Sequence, residues 1–357
     1  MALFQLNPLT QKKLKRFREI RRGYFSFLIL VAFLVISIFA RFLVGSDALM
    51  VKYEGETYFP VMGKFYAGTE FGENYSFEAR YRDLQAKFKE EGKGNFVIMP
   101  VIPYSPFEQN AVDGVYKPDA PSVAKKHYLG TDTTGRDILA RLFYGTRIAL
   151  VFALAFMAAV YVIGVAIGCA MGYFGGLFDL ILQRLIEIWS NIPFLYMVII
   201  VFSVIPSTYS INSRIGILLA VLVLFSWTFM TYYMRTATYK EKERDYTAAA
   251  RLIGASTSRI IFKHILPNTI STLVTFAPVT VVSGITSITA LDFLGFGLPA
   301  PTPSLGELLK QGTATLRTAP WIVMSAFSTL VIILTLVTFI GEAVRESFDP
   351  KKFTIYQ

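Results

Sequence analysis

The chain has 357 residues, 54% of them hydrophobic and only 17% charged; soluble domains carry about 25% charged residues. Several apolar runs are long enough to cross a bilayer, so an ordinary soluble domain is excluded and an integral membrane protein is expected. The net charge of +10 clusters beside those runs rather than forming a nucleic-acid patch, the lone Cys169 excludes an intrachain disulfide, and His127 and His264 lie in separate regions that offer no His-based metal centre.

Residues 1–23 form a basic amphipathic leader, with Lys12, Lys13, Lys15, Arg16, Arg18, Arg21 and Arg22 around a stripe of Leu14, Phe17 and Ile20. Such a segment is expected to lie along the cytoplasmic headgroup surface. Residues 24–44 read as transmembrane helix 1. They exceed a signal-peptide core and lack an A-x-A cleavage site, so an uncleaved anchor with its N-terminus inside is expected. Residues 45–146 are a polar insert, nearly neutral with 12 Lys/Arg and 14 Asp/Glu. Its β-like patches, Val51–Tyr53, Tyr58–Val61 and Phe96–Ile102, predict a small extracytoplasmic unit folded against the membrane part. The insert closes with Gly130, Asp132, Gly135, Arg136 and Asp137. These read as a tight turn held by Asp and Arg hydrogen bonds, ahead of an amphipathic helix bearing Ile138, Leu139, Leu142 and Phe143.

Residues 147–341 contain helices 2–6. Span two, about 148–171, and the turn after it carry Gly164, Gly168 and Gly172 at four-residue spacing, a smooth face for close helix packing. The stretch Gly172–Asp179 turns the chain. Span three, about 185–206, has Glu187 near its start, expected at the interface, and Pro193, which implies a kink or break. Span four is Ile215–Met234, span five 270–290 with Pro278 inside, and span six 321–341. Between the last two, Gly295, Gly297, Pro299, Pro301 and Pro303 forbid a continuous helix, and Ser304 is placed to cap a short one, Leu305–Lys310. Residues 342–357 form a cytoplasmic tail with Arg345, Lys351 and Lys352. The short outer loops, 207–214 and 291–319, hold only Arg214, Lys310 and Arg317, an asymmetry that agrees with the positive-inside rule.

The loop between spans four and five, 235–268, is not written like a loop. Tyr246–Ile253 is Ala-rich, with Asp245 as a candidate N-cap and Gly254 as a stop. Ser256 is placed to cap a second helix carrying Ile260, Ile261, Ile265 and Leu266, which Pro267 is expected to end. The basic residues alone are met equally by a solvated linker. Ala248, Ala249 and Ala250 weigh against that reading, because a solvated face gains nothing from three alanines, whereas a helix entering a groove gains close approach.

At these residues the chain resembles the permease subunits of ABC importers, whose cytoplasmic loop follows E-A-A, three residues, Gly, nine residues, I-x-L-P. Ala249, Ala250, Gly254, Leu266 and Pro267 fall on that pattern, while Ala248 replaces the acidic residue and His264 the isoleucine, so no ionic contact from the first position is assumed. The segment from Leu129 to Asp137 is similar to the L-G-T-D-x-x-G-R-D of C-type permeases of dipeptide and oligopeptide importers. Lys52–Pro60 and the loop around 291–312 resemble the Yej branch, which takes up microcin C and peptides.

The resemblance implies an all-α integral membrane fold. It would have six transmembrane helices of the type I importer permease kind, with the insert between helices 1 and 2. It further implies a bacterial inner-membrane location with both termini cytoplasmic, and coupling to an ATPase through Tyr246, Ala249, Ala250, Gly254, Ala255, His264, Leu266 and Pro267. The implied partners are two ATP-binding subunits or one fused dimer, a second homologous permease and an extracytoplasmic solute-binding protein, with no nucleic acid. The implied solute is a peptide or peptide-like molecule. Nickel or another solute, an ATPase-independent channel or secondary transporter, and a membrane-bound enzyme or sensor working through 45–146 are the alternatives. The sequence holds no P-loop, G-x-S-x-G or H-E-x-x-H motif and no paired cysteines, so the expected chain is not an enzyme and holds no cofactor or metal of its own, ATP being bound by its partners.

Overall fold

The computed structural model describes residues 8–111, 114–204 and 209–348; Lys351 and Lys352 of the tail lie outside them. Helix α1 (Pro8–Glu19) is the leader, and the first span is α2 (Arg21–Ile38) followed, after a break at Phe39, by the single turn α3 (Ala40–Leu43). The leader packs on the protein itself. It is held to the last helix, α13 (Pro320–Phe348), by Arg16–Glu346 at 3.8 Å and by Lys13 over the Phe348 ring at 4.5 Å, and Arg22 just after it pairs with Glu342 at 3.1 Å.

The insert has its own core. Strands β1 (Met50–Tyr53), β2 (Glu56–Tyr58) and β3 (Phe96–Ile98) form an antiparallel sheet in the order β2-β1-β3, with Val51 opposite both Tyr58 and Val97. Helix α4 (Tyr81–Glu91) lays Tyr81, Leu84 and Phe88 onto Val51, Phe71 and Val97. The expected strand Tyr58–Val61 ends at Tyr58. Pro60 cannot donate to a ladder, and the chain instead makes a 3-10 turn, Pro60–Met62. The insert is mounted on the end of the first span through Ile102 N–H to Leu43 O at 2.9 Å and Gly45 N–H to Ile102 O at 3.1 Å.

Helix α5 (Ile138–Phe174) runs unbroken from its amphipathic start into the membrane core, so the expected boundary at 146/147 falls inside one helix. The cap explains where it begins: the Asp137 carboxylate accepts from Ala140 N–H at 2.7 Å. The glycine row packs α5 on α8 (Ile211–Lys242), as its spacing predicts. A Cβ at Gly164 would lie 2.7 Å from Met230 Cβ, at Gly168 2.6 Å from Thr231 O, and at Gly172 2.6 Å from Arg235 O.

The third span is not a straight helix over 185–206. It is α6 (Gly176–Ser190) and α7 (Phe194–Val204), bent by 71° at the turn ending in Pro193. Glu187 is partly exposed and bonded to Gln183 and Arg184, in keeping with an interface position.

Helix α9 (Asp245–Leu252), α10 (Thr257–Ile260) and a π-turn (Ile261–Ile265) lead into α11 (Leu266–Leu294), which is followed by α12 (Leu305–Ala314) and α13. Among the described residues five helical runs are long and apolar enough to cross a membrane, or six where the bent pair counts as one span. Their shared core includes Phe152, Phe156, Met230, Ile285 and Ile322.

Candidate coupling site

The segment after α8 is a compact joint. Helix α8 continues to Lys242, so 235–242 belongs to the span and not to the loop. Arg244, in extended conformation, occupies the N-cap of α9, and no side chain caps it; Asp245 is the first helical residue rather than the cap. Thr247 is fully buried and gives its hydroxyl to Glu241 O at 2.8 Å, locking α9 back onto the end of α8. Burial, and then the Glu241 carboxylate to which it donates, hold the Tyr246 hydroxyl above its ordinary pKa.

Gly254 stops the helix as expected. Its N–H bonds Arg251 O at 3.1 Å, and Ala255 N–H bonds Ala250 O at 3.0 Å, with Gly254 at φ +78°. This pair of bonds is a Schellman motif, which needs the left-handed conformation glycine adopts freely. Ser256 does occupy the next N-cap, but its hydroxyl meets Ser258 rather than a backbone N–H.

Pro267 does not end the second helix. The wider π-turn Ile261–Ile265 accommodates the backbone bond that proline lacks, and α11 proceeds with Pro267 in its first turn. The second helix of the joint and the fifth span are therefore continuous.

The eight candidate residues divide by direction. Ala250 and Ala255 close a small core with Ile260, Ile265 and Tyr173. Tyr246 stands against His264, ring centroids 6.5 Å apart, and Leu266 packs on the bundle core. Ala249, Gly254 and Pro267 lie on the outer surface. Two neighbours outside the sequence pattern are the most prominent feature there. Leu252 is 89% and Ile253 85% exposed, immediately before the glycine, with Phe262 also exposed. Arg244, Arg251, Arg259 and Lys263 of the same joint are exposed as well. Arg251 is steadied over the Tyr173 ring at 5.8 Å, which fixes the joint to the far end of α5.

At the opposite end of α5 the predicted Asp–Arg turn is a buried charge cluster. Asp132 accepts from Thr134 N–H at 2.9 Å, Arg136 N–H at 3.0 Å and Arg136 Nε at 2.8 Å. Arg136 also reaches Glu307 of α12 at 3.0 Å, and Arg141, fully buried, pairs with the same carboxylate. His127 Nδ1 meets Asp137 at 2.8 Å. Ser304 caps α12 by accepting from Glu307 N–H at 3.1 Å, as expected, although that helix extends to Ala314.

Residues 164–354 match the family described as the inner membrane component of binding-protein-dependent transport systems. The chain belongs to that family. It is 40% identical to the inner membrane ABC transporter permease protein YejE of Escherichia coli K12 over 98% of this chain and 99% of that one. It is 35% identical to the peptidoglycan transport system permease protein YejE of Agrobacterium fabrum over 97% and 94%, and 38% identical to the oligopeptide transport system permease protein OppC of Lactococcus lactis IL1403 over 64% and 76%.

This chain is thus a multi-pass inner-membrane permease subunit of an ABC importer and not an enzyme. The joint is legible in the sequence through its Ala and Gly pattern. Leu252 and Ile253 are not, since their only signal is that two large apolar residues precede a helix stop off the buried stripe. Nor are Glu307 and Arg141, which are distant in sequence from the turn they complete.

Proposed function

We propose that this permease carries peptides or peptide-like solutes, delivered by an extracytoplasmic binding protein, along a path shared with a second homologous permease. Two ABC ATP-binding subunits, or one fused dimer, bind the ATP and supply the movement; this chain holds no nucleotide. Relatives named for peptidoglycan and oligopeptide transport support the solute class. In this reading the joint, the leader and both termini face the cytoplasm, and the insert faces outward.

The observation that carries the reading is the apolar tip Leu252–Ile253 ahead of Gly254, on a joint that also exposes four cationic side chains and rests on Tyr173 at the end of α5 remote from the insert. Two large aliphatic side chains left in water on a rigid turn gain free energy when a partner groove covers them. The cationic side chains favour an acidic groove margin and aid docking. Tyr246, Ala250, Ala255 and His264 set the angle at which the tip is offered, Gly254 turns the backbone behind it, Ala249 permits close approach, and Leu266 and Pro267 pass the load into α11. Closure of the ATP-binding subunits draws on this grip and shifts the path between outward-open and inward-open states.

The test is co-purification. Replacing Leu252→Ser together with Ile253→Ser leaves the permease in the membrane and removes recovery of the ATP-binding subunits and solute-stimulated ATP hydrolysis. Undiminished recovery and stimulation would overturn the reading. Uptake of labelled peptides against nickel in cells lacking this chain decides the solute class.

A further inference from the structure

The insert carries an apolar tip of its own. Phe59 is 49%, Met62 73% and Phe65 59% exposed, within seven residues of chain. They are not a loose loop. Pro60 and Val61 are buried between them, Val61 N–H bonds Ala48 O at 3.0 Å, and Gly63, at φ +86°, closes the turn. The backbone therefore holds Phe59, Met62 and Phe65 outward while their neighbours anchor the turn in the insert.

The place of this turn relative to the first span is fixed. A Cβ built on Gly63 would lie 3.3 Å from Nη1 of Arg41, which belongs to α3 at the end of that span. Ile38, Phe39 and Phe42 of the same end are exposed, and the rings of Phe39 and Phe42 lie 6.5 Å apart. The tip thus stands beside an exposed apolar surface at the end of the first span. Arg41 and Lys64 flank it. Arg41 lies 3.7 Å from Asp47 but its side chain stays 62% exposed, and Lys64 sits over the Tyr66 ring at 5.0 Å. Long cationic side chains at the end of a span reach phosphates while their stems stay in apolar surroundings. Aromatic and thioether side chains suit the headgroup boundary.

We infer that the turn Phe59–Phe65 is a lipid anchor. Phe59, Met62 and Phe65 enter the headgroup–acyl boundary of the leaflet on the insert's side, and Arg41 and Lys64 meet lipid phosphates. The continuity with the exposed apolar end of a helix long and apolar enough to cross a membrane, and the flanking cations, are what favour lipid over a soluble protein partner. The anchor would fix the tilt of the insert without any contact to a solute, so it goes beyond the transport reading and stands or falls separately from it.

Site-directed spin labelling tests it. The full-length chain, in its assembled complex and with Cys169→Ala, is reconstituted in nanodiscs of phosphatidylethanolamine and phosphatidylglycerol. A nitroxide is attached at Met62→Cys, and in separate samples at Phe65→Cys, at Phe27→Cys in the first span and at Lys93→Cys. Lys93 lies between α4 and β3, at the start of the strand rather than its Ile102 end, and its side chain is 71% exposed. Collision with lipid-soluble oxygen relative to a water-soluble nickel chelate should be severalfold higher at Met62→Cys and Phe65→Cys than at Lys93→Cys, and close to that at Phe27→Cys. A ratio at both positions equal to that at Lys93→Cys means the tip stands in water, and the anchor is wrong. Low accessibility to both reagents means a protein covers the tip, and this also overturns it.

Discussion

Arg141 and Glu307, 166 positions apart in the sequence, form a buried ion pair that ties the first turn of α5 to α12. Arg136 shares the carboxylate, and Asp132 lies 3.4 Å from Arg141 Nε, so two guanidinium groups depend on two acids. Glu307→Ala leaves Arg141, with no exposed surface, short of its main counter-charge. Breaking one partner of a buried pair costs about 3–5 kcal/mol. A large loss of thermal stability in nanodiscs is expected, and the double change Glu307→Ala with Arg141→Met should recover much of it. A melting temperature indifferent to Glu307→Ala would show that the pair contributes nothing.

At Gly254 a new side chain meets open space, with nothing within 4 Å of an added Cβ, so size is not the obstacle there. Conformation is. The left-handed backbone costs a non-glycine residue about 1–2 kcal/mol, and asparagine tolerates it best. Gly254→Val should uncouple ATP hydrolysis from uptake most, Gly254→Ala less and Gly254→Asn least. An order that follows side-chain volume, with Asn worse than Ala, would contradict the conformational argument.

The glycine row makes the opposite demand. A Cβ at Gly168 would sit 2.6 Å from Thr231 O and 2.8 Å from Met234 Cβ, so Gly168→Ala must push α5 off α8. Overpacking of this kind costs about 1–3 kcal/mol. Gly216→Ala, where an added Cβ meets nothing within 4 Å, is the matched control and should be neutral or slightly stabilising. Equal melting temperatures for the two variants would refute the tight α5–α8 seam.

In the insert, partial desolvation and then the nearby Asp47 carboxylate raise the pKa of the surface residue Glu78 above its ordinary value, with Arg41 opposing. A carboxyl with a raised folded pKa favours folding when protonated. That contribution is full below its unfolded pKa and is lost as pH rises through the folded one. Glu78→Gln should therefore slow hydrogen exchange at the Val51 and Val97 amides at neutral pH and flatten its pH dependence in the acid range. Unchanged exchange in the variant would show that Glu78 bears no strain in the native insert.

Features that a local backbone rule dictates were legible in the sequence. Gly254 needs a left-handed φ, Pro193 breaks a helix, Asp132 and Arg136 close a turn over four residues, and three glycines at a spacing of four make a face. What escaped depends on geometry between segments. Pro267 reads as a terminator until a π-turn widens the helix before it. Neither Leu252 nor Ile253 breaks any pattern, and only their projection from the joint gives them weight. Glu307 looks like an ordinary first-turn acid of α12 until Arg136 and Arg141 are found against it. The insert's strands were visible as β-rich patches, but Pro60 shortened one of them.

The contact of α5 with α8 along Gly164, Gly168 and Gly172 leaves no side-chain layer to yield between the two helices. The 37 residues of α5 span roughly 55 Å. Its near end is bolted to α12 through Arg141, and its far end bears Tyr173, on which Arg251 of the joint rests. Packed on α8 in this way, α5 is one continuous rod that connects the joint bearing Leu252 with the turn that Glu307 closes.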